Sequence, residues 1–319
     1  MIVRLMDGTW ELFRHYFAIE RASSRSSGSP GENRDGAPSS AAVRGAVSSV
    51  LGLLEAGTTH IGVATDHVIE SFRNELWPGY KSSASVAPEL LRQIPLLERA
   101  LESLGVAVWP MVELEADDAL ASAAVCLADD AEVEQVLVDS PDKDLSQVVR
   151  GARIVRLDRS RKPAARIDEE AVLDRYWVRP VSLPDWLALV GDAADGYPGL
   201  RGWGPASASA VLGRYEHIAA VPISASDWDL RLPAGASGRK LAETLECEAD
   251  RAKLFLRLAT LVVDRSLARP ADALRWRGPT GAFQAVCDEI GAPRLARRAV
   301  TAWERQAAGT GRPYPAEDA

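Results

Sequence analysis

The chain has 319 residues, of which 47% are hydrophobic and 26% are charged, as expected of a folded protein with one large or two smaller domains. It has no run of roughly 18 apolar residues, and its start, MIVRLMDGTW, lacks a basic segment followed by an apolar one, so neither a membrane span nor a signal peptide is expected. The three cysteines are far apart, which argues against a zinc site or a disulfide framework. A cytoplasmic location without a membrane partner follows as the default expectation.

The formal charge of −8 is unusual for a nucleic-acid-binding protein, whose surface is usually basic. Nine of the 45 acidic residues are assigned below to one cluster, and the remaining 36 nearly balance the 37 basic residues. Basic surface patches are therefore still expected, with residues 150–166 and 293–298 as candidates. Each basic run is equally consistent with an ordinary solvated face.

Short apolar runs alternate with helix-like segments through the first half of the chain. The predicted strands are residues 2–6, 60–65, 106–109, 135–138 and 153–157. Strands that alternate with helices predict a mostly parallel sheet flanked by helices, an α/β fold. Residues 22–40 are rich in Ser, Gly and Pro and predict a mobile loop within the domain, and the tail from about Gly309 is expected to fray.

Carboxylates gather at the start of the helix predicted after the third strand, in the sequence ELEADDALASAA. Glu115, Asp117 and Asp118 fall in or near its first turn, where acidic residues often serve as ordinary caps. Three carboxylates at one helix start repel one another, and a divalent cation among them would relieve that repulsion. The segment alone leaves the solvated cap and the metal site equally open.

Further acidic residues follow the other predicted strands. Asp7 and Asp66 end the first two strands, and Asp142 and Asp144 lie just beyond the fourth. Because the carboxyl ends of parallel strands meet at one edge of a sheet, four segments would deliver acids to the same rim. That convergence favours a metal cluster over a set of unrelated turns and caps.

The strand pattern fades after about residue 170, and a helix–turn–hairpin–helix pattern follows. Asp192 and Asp195 lie in the turn, and Gly199, Gly202 and Gly204 lie in the hairpin. Backbone amides of such a hairpin, together with the N-terminus of the next helix, suit a phosphate group, although glycines alone also fit a plain turn. We expect one domain at 1–170 and a second, helical region at 171–319.

The chain resembles the 5′-nuclease, or flap endonuclease, family, and most closely the bacterial 5′–3′ exonuclease domain at the front of DNA polymerase I, in stand-alone form. The resemblance rests on five segments that occur in the family's order, over roughly residues 1–265. They are LMDGTWELFRHYFA, ATDHVIESFRNELWPGYKSS, LEADDALASAA, DSPDKDLSQVV and LVGDAADGYPGLRGWGPASASAVL. It implies a PIN-like α/β domain followed by a C-terminal helix-hairpin-helix region of the H3TH type.

The resemblance also implies roles for individual residues. The metal cluster would comprise Asp7, Asp66, Glu115, Asp117, Asp118, Asp142, Asp144, Asp192 and Asp195. Of these nine, Asp7, Asp118 and Asp192 are expected to act through water or other ligands, and the rest directly. Lys81 is expected to act in catalysis with Asp117 and Asp142. DNA contacts are expected from Tyr80, Lys81, Gly199, Gly202, Gly204 and Ser207. The segment SFRNELWPGYK is expected to be loop-like and to expose Tyr80 and Lys81. Tyr80 would then stack on a base, with a partly buried loop anchor as the alternative.

The implied cofactors are two Mg²⁺ ions per active site, which Mn²⁺ can replace, and a K⁺ ion at the hairpin. Hard cations prefer oxygen ligands, in keeping with a cluster of Asp and Glu. Three departures from the family pattern stand out: Ala84 and Ala206 replace basic residues, and Trp203 replaces an aliphatic residue. These changes bear on affinity and substrate geometry.

The expected function is metal-dependent hydrolysis of phosphodiester bonds near DNA 5′ ends, nicks and flaps, and of RNA primers annealed to DNA, by a monomer. A PIN-type ribonuclease is an alternative within enzymes. A DNA-binding module that keeps the fold without catalysis is an alternative from another class. The complete set of nine acids disfavours the second alternative, and the hairpin half disfavours the first.

Overall fold

The computed structural model describes residues 1–25 and 40–309, and these form a six-stranded sheet with helices on both faces. The strands are β1 (Ile2–Asp7), β2 (His60–Asp66), β3 (Ala107–Met111), β4 (Gln135–Asp139), β5 (Ile154–Asp158) and β6 (Ala165–Ile167). Their order is β3-β2-β1-β4-β5-β6, and every pairing is parallel except that of β5 with β6. The expected α/β architecture is confirmed.

Thirteen α-helices connect and cover these strands in the described residues. They are α1 (Gly8–Arg25), α2 (Ala41–Glu55), α3 (Phe72–Leu76), α4 (Pro88–Leu91), α5 (Ile94–Ser103), α6 (Ala116–Ala128), α7 (Glu169–Tyr176), α8 (Leu183–Val190), α9 (Pro205–Tyr215), α10 (Gly238–Cys247), α11 (Ala249–Ala259), α12 (Phe283–Glu289) and α13 (Arg294–Ala307). In the part of the chain that is described, no helix has the length and apolarity to cross a membrane.

The five predicted strands are present, with ends that differ by at most two residues from the expectation. Strand β6 was not predicted, because its three residues overlap the end of the basic run 150–166 and are too few to show an apolar pattern. The loop predicted from residue 22 begins later, because α1 continues to Arg25. The rest of that predicted loop, residues 26–39, and the predicted frayed tail beyond residue 309 lie outside the described residues.

Each face of the sheet has its own apolar core. On one face, α2 and α5 pack against residues such as Ile61 and Val63. On the other, the alanine-rich side of α6 packs against residues such as Val3 and Leu5. A third core joins α7, α8, α9 and α11, so the helical half of the chain has an interior of its own.

The last helices return to the first core. Trp276, Phe283 and Ala299 are buried with α2 and α5, far from the third core in sequence and in packing. The indole Nε1 of Trp276 donates to the carbonyl of Leu104 at 2.8 Å. The assignment of all residues 171–319 to one region remains a prediction, and α12 and α13 pack with the sheet domain.

The parallel strands bring acids to one edge. Residue Asp7 pairs with Ala64 of β2, and Met6 pairs with Asp139 of β4, so the carboxyl ends of β1, β2 and β4 are level. Asp139 is buried, and its carboxylate accepts hydrogen bonds from Arg4 Nε at 2.8 Å and Nη2 at 2.7 Å. This acid therefore fixes β1 to β4 and leaves the neighbouring acids to face the cavity beyond the sheet.

Replacing Phe283 by Ala should destabilise the sheet domain. The side chain is 1% exposed, and truncating a buried Phe typically costs about 3–5 kcal/mol. Urea unfolding of Phe283→Ala beside Val300→Ala, whose side chain on α13 is 45% exposed, measures the difference. Equal midpoints for the two variants would show that α12 contributes nothing to the fold.

Candidate active site

A cavity of about 550 Å³ opens at the carboxyl edge of the sheet. Its walls include five of the nine predicted metal ligands, together with the predicted catalytic lysine. These are Asp7, Asp66, Glu115, Asp117, Asp142 and Lys81. Four separate chain segments supply the five carboxylates, so the structure brings together acids that the sequence predicted to share one rim.

The remaining predicted ligands, apart from Asp118, form a second group beside the first. Asp144, Asp192 and Asp195 each place a carboxylate oxygen within 4.8 Å of the others. Asp142 joins the two groups, because its Oδ1 accepts a hydrogen bond from the backbone NH of Asp144 at 2.9 Å. Eight carboxylates thus lie in two adjacent groups.

The oxygen atoms of this cluster fit a hard divalent cation. Asp117 Oδ1 and Asp144 Oδ1 are buried and accept no hydrogen bond within the described residues. Buried polar atoms in proteins almost always have a partner, so an orphaned carboxylate oxygen points to a ligand. The donor set is all oxygen, which Mg²⁺ and similar cations prefer.

Crowding and burial oppose ionisation of the cluster in the absence of cations. Burial, together with the charge of Asp142 nearby, raises the pKa of Asp117 and of Asp144 well above the ordinary value. Burial, with the charges of Asp66 and Asp142, raises the pKa of Asp7 to about 7. The metal-free protein therefore holds protons at this site near neutral pH, and cations would displace them.

Two ammonium groups lie among the carboxylates. Lys81 Nζ is 2.9 Å from Glu115 Oε2 and 3.0 Å from Asp195 Oδ1, and its side chain is about one-third exposed to the cavity. Burial opposes its charge, but Glu115 and Asp195 outweigh burial and raise the pKa of Lys81 well above its usual range. Lys143 pairs with Asp192 and lies 3.6 Å from Asp144 Oδ1. The sequence reasoning missed Lys143, although it lies between two predicted ligands.

Asp118 differs from the other predicted ligands because its oxygens have no room for a cation. Its carboxylate is 0% exposed and accepts bonds from Arg73 Nη1 and Nη2, both at 2.8 Å. The backbone NH groups of Glu115 and Val262 also donate to it, at 3.0 and 2.8 Å. Asp118 holds Arg73, and Arg73 Nη1 in turn donates to Glu115 Oε1 at 3.1 Å.

Arg73 was the main residue that the sequence reasoning overlooked. It lies in the segment SFRNELWPGYK, which was expected to be loop-like, but residues 72–76 form α3 and bury the guanidinium. Its Nε and Nη2 donate to the carbonyls of Leu258 and Thr260 at 2.9 and 3.2 Å. Arg73 thereby ties the acidic helix α6 to the helical half of the chain.

The expectation that Tyr80 is exposed and stacks on a base is wrong. The side chain is 5% exposed, and its hydroxyl lies 3.5 Å from Glu115 Oε2. Burial raises the pKa of Tyr80, so the hydroxyl stays protonated. The residue anchors the loop that presents Lys81, which was the alternative explanation from sequence.

The glycine-rich hairpin has the backbone form that the sequence predicted. Gly199 has φ of 70°, and a Cβ there would lie 2.4 Å from the backbone N of Gly191, so only glycine fits. Around Gly204, by contrast, a Cβ would meet open space, and its NH is held by Ser207 Oγ at 3.0 Å just before α9. Trp203 is buried against Trp228. The tryptophan that stands where the family has an aliphatic residue therefore fills a core position.

The basic run 150–166 is partly structural. Arg156 is buried and donates to Ser146 Oγ at 3.0 Å and the Ser140 carbonyl at 3.1 Å. Arg153 donates to the carbonyls of Ala128 and Asp130. Neither residue belongs to a free basic surface, since their charges hold loops of the sheet domain.

Two family models together match most of the chain. Residues 2–177 match the 5′-3′ exonuclease N-terminal resolvase-like domain, and residues 178–282 match the 5′-3′ exonuclease C-terminal SAM fold. The chain belongs to the 5′–3′ exonuclease family. The resemblance drawn from its motifs is therefore confirmed, and the two family models meet seven residues beyond the boundary predicted from sequence.

Relatives in this family include longer proteins. The DNA polymerase I of Mycobacterium tuberculosis is 30% identical over 276 residues, which are 85% of this chain and 28% of the relative. A 5′-3′ exonuclease of Buchnera aphidicola is 28% identical over 218 residues, which are 67% of this chain and 70% of that protein. The chain thus spans less than a third of the polymerase and most of the exonuclease.

Solved structures share the fold at low sequence identity. The bacteriophage T5 5′-exonuclease, with bound divalent zinc ions, is 16% identical with a TM-score of 0.60, and the alignment covers 94% of this chain and 99% of that one. The catalytic core of Rad2 in complex with a DNA substrate is 13% identical with a TM-score of 0.57, covering 94% of this chain and 92% of the other.

Removing one buried acid should stabilise the metal-free protein. Asp7 ionises at about pH 7 when folded but near its ordinary value of 3.8 when unfolded, so the free-energy cost of its charge appears above pH 4 and is complete above pH 7. In EDTA, Asp7→Asn should exceed the wild type in free energy of unfolding by up to about 4 kcal/mol at pH 8, from about three pKa units at about 1.4 kcal/mol each, less the hydrogen bond that Ser140 Oγ donates to the carboxylate.

The difference in free energy of unfolding between Asp7→Asn and the wild type should vanish toward pH 4. At pH 8 it should shrink when a divalent cation is added. Urea titrations at the two pH values, with EDTA and with Mg²⁺, measure it. The substitution Asp250→Asn, on a fully solvated ion pair with Lys253, is the matched control and should change little. A higher free energy of unfolding for the wild type than for Asp7→Asn, in EDTA at pH 8, would contradict the crowding argument.

Replacing Arg73 by Met should destabilise the protein by about 3–5 kcal/mol, because Asp118 would keep a buried charge without its partner. The double variant Arg73→Met, Asp118→Leu should recover part of the loss, since both charges are then gone. Thermal unfolding beside Arg239→Met, an exposed arginine paired with Glu243, provides the comparison. Equal melting temperatures for Arg73→Met and Arg239→Met would show that Arg73 does not stabilise the fold.

Proposed function

We propose that this chain is a divalent-metal-dependent, structure-specific 5′ nuclease that hydrolyses phosphodiester bonds of DNA near 5′ ends, nicks and flaps. The observation that carries the proposal is the pair of buried oxygens of Asp117 and Asp144 that accept no hydrogen bond, within eight crowded carboxylates. Such a cluster is costly to fold and gains its stability from cations. Mg²⁺ is the expected ion, since every candidate ligand is an oxygen.

The carboxylates divide into two sets that would hold two ions. Asp7, Asp66, Asp117 and Asp142 face the cavity, and Asp144, Asp192 and Asp195 form the adjacent group. Bound divalent ions supply an activated water and stabilise charge on the phosphate and the leaving oxygen. Glu115 also lines the cavity, and Ser71 Oγ at 2.8 Å and Arg73 orient its carboxylate.

The chain's own residues would position the phosphate. Lys81 points into the cavity from a loop that Tyr80 anchors and Asn74 Nδ2 holds through the Lys81 carbonyl at 2.9 Å. Its ammonium can move from Glu115 and Asp195 toward a phosphate oxygen and offset the charge that develops there. Thr9 and Trp10 line the opposite wall and limit where a strand can enter.

Two neighbours with this fold support the proposal: one holds zinc ions and the other a DNA substrate. The hairpin at Gly199–Gly204 would hold duplex through backbone contacts to phosphate, with K⁺ as a candidate aid. RNA–DNA hybrids and action as a monomer are part of the same proposal. The hairpin half argues against a PIN-type ribonuclease. The buried carboxylate oxygens that accept no hydrogen bond argue against a non-catalytic module.

Product mapping tests the function. Flap, nicked and blunt DNA substrates carrying a 5′ label should release short labelled products with Mg²⁺ and none with EDTA. Asp142→Asn should lose cleavage by more than about a hundredfold, because an amide cannot replace an anionic ligand, whereas Asp250→Asn should cleave normally. Cleavage of all three substrates in EDTA, or a fully active Asp142→Asn, would refute a metal nuclease.

Replacing Lys81 by Ala should lower the turnover number and the specificity constant together, by roughly 10²–10³-fold, if its ammonium acts mainly in the transition state. Single-turnover cleavage of a 5′-flap, set beside binding in Ca²⁺, separates catalysis from affinity. Ala84 is exposed nearby, and adding Ala84→Arg to this variant should restore part of the rate. Wild-type single-turnover cleavage with weakened binding would instead make Lys81 a docking contact.

A further inference from the structure

A groove of about 740 Å³ runs beside α9, next to the acidic cavity but outside it. Its lining combines small and apolar side chains with arginine and aromatic ones, and no carboxylate belongs to it. The arginines are Arg175 and Arg231, and the aromatics include Trp177 and Trp186. In a chain with a net charge of −8, a groove with this lining is exceptional.

Trp177 is the most unusual residue of the groove. Its side chain is 76% exposed, and its backbone is left-handed, with φ of 58° and ψ of 23°, at the end of α7. Helices that end in this conformation usually have Gly there, because other residues pay a steric penalty of about 1–2 kcal/mol. A strained backbone that presents a large bare ring is typical of a binding position.

The groove arginines differ in their aromatic contacts among the described residues, since the Arg175 guanidinium lies over the Tyr176 ring, 5.5 Å from its centroid. Across the part of the chain that the structure describes, neither Arg175 nor Arg231 has a carboxylate at ion-pair distance. Two nearby acids are already paired, Asp229 with Arg214 at 3.2 Å and Glu216 with Arg179 at 2.9 Å. Arg175 also lines the acidic cavity, so the groove and the cavity are adjacent.

One face of α9 lines the groove with small side chains. Ala206, Ser209, Ala210 and Gly213 line it from one face of α9, and all four side chains are small. Ser209 Oγ accepts from Trp186 Nε1 at 3.0 Å and donates to the Tyr176 carbonyl at 2.6 Å. Small side chains beside an exposed indole leave room for a planar ring or a sugar–phosphate chain.

We infer that this groove binds a single-stranded arm of the nucleic-acid substrate, with an unpaired base on Trp177 and backbone phosphates on Arg175 and Arg231. The inference rests on the proposed function and names a further substrate contact. An indole face stacks on any base, and arginines attract phosphate without reading sequence. Bases within a duplex are stacked on one another, so a duplex offers an open base face only at its ends. The exposed indole of Trp177 therefore favours unpaired nucleotides over duplex.

Equilibrium binding in EDTA tests the inference without cleavage. The probes are fluorescent 16-base-pair duplexes, one blunt and two with a ten-nucleotide oligothymidine arm on the 5′ or the 3′ strand. Trp177→Asn removes the ring and suits the left-handed backbone, so it should fold as well as the wild type. It should bind at least one armed duplex about tenfold more weakly, the scale of one stacked base, and the blunt duplex equally well.

Arg175→Gln and Arg231→Gln should each lower the salt dependence of armed-duplex binding by about one phosphate contact. Controls are Ile223→Ala, which is 77% exposed on another surface, and Arg277→Gln, whose guanidinium pairs with Asp272. Both should bind armed and blunt duplexes like the wild type. Unchanged armed-duplex binding by Trp177→Asn, or equal weakening toward both probes, overturns the inference.

The result is independent of the nuclease test. If the wild type cleaves flaps and Trp177→Asn binds both arms normally, the proposed function stands and the groove assignment falls. If the wild type cleaves nothing but its preference for an arm disappears in Trp177→Asn, the groove assignment stands and the proposed function falls.

Discussion

Mutual repulsion of carboxylates withdrawn from water is the constraint around which this fold is arranged. Parallel strands β1, β2 and β4 end level with one another, and the turns beyond them deliver acids to a single cavity. The protein offsets the charge with three cations from outside the strands: Arg73 below the cluster, Lys81 beside the cavity and Lys143 between the outer acids. Their placement differs, because Arg73 is fully buried while the lysines keep contact with solvent.

The same cations join the sheet domain to the helical half. Arg73 donates to the carbonyls at the end of α11, and Lys81 reaches Asp195 in the turn after α8. Close backbone contact completes this junction, since a Cβ on Gly196 would lie 1.9 Å from the Gly79 carbonyl oxygen. The geometry of the acidic cluster and the orientation of the two halves are therefore set by the same contacts, and a change in one must alter the other.

The sequence predicted the strands and the shared rim of acids because apolar periodicity and strand ends are local signals. Residues whose role depends on distant partners were not predictable in this way. Arg73 and Lys143 look like ordinary surface charges until their partners from other segments are known. Tyr80 was misjudged because burial comes from the helical half, and β6 was missed because an edge strand of three residues needs no apolar pattern.

The opposite charges of the cavity and the groove have a consequence for binding order. Without cations, the acidic cavity repels phosphate, and the attraction for a nucleic acid must come from elsewhere on the surface. Arg175 lies at the junction of the two, so a strand held along the groove would meet the cavity at its basic margin. On the proposed function, the groove and hairpin supply affinity in the absence of metal, and cations convert the cavity from a repulsive to an attractive site. Substrate binding and metal binding at the cavity should therefore reinforce each other, because each neutralises charge that opposes the other.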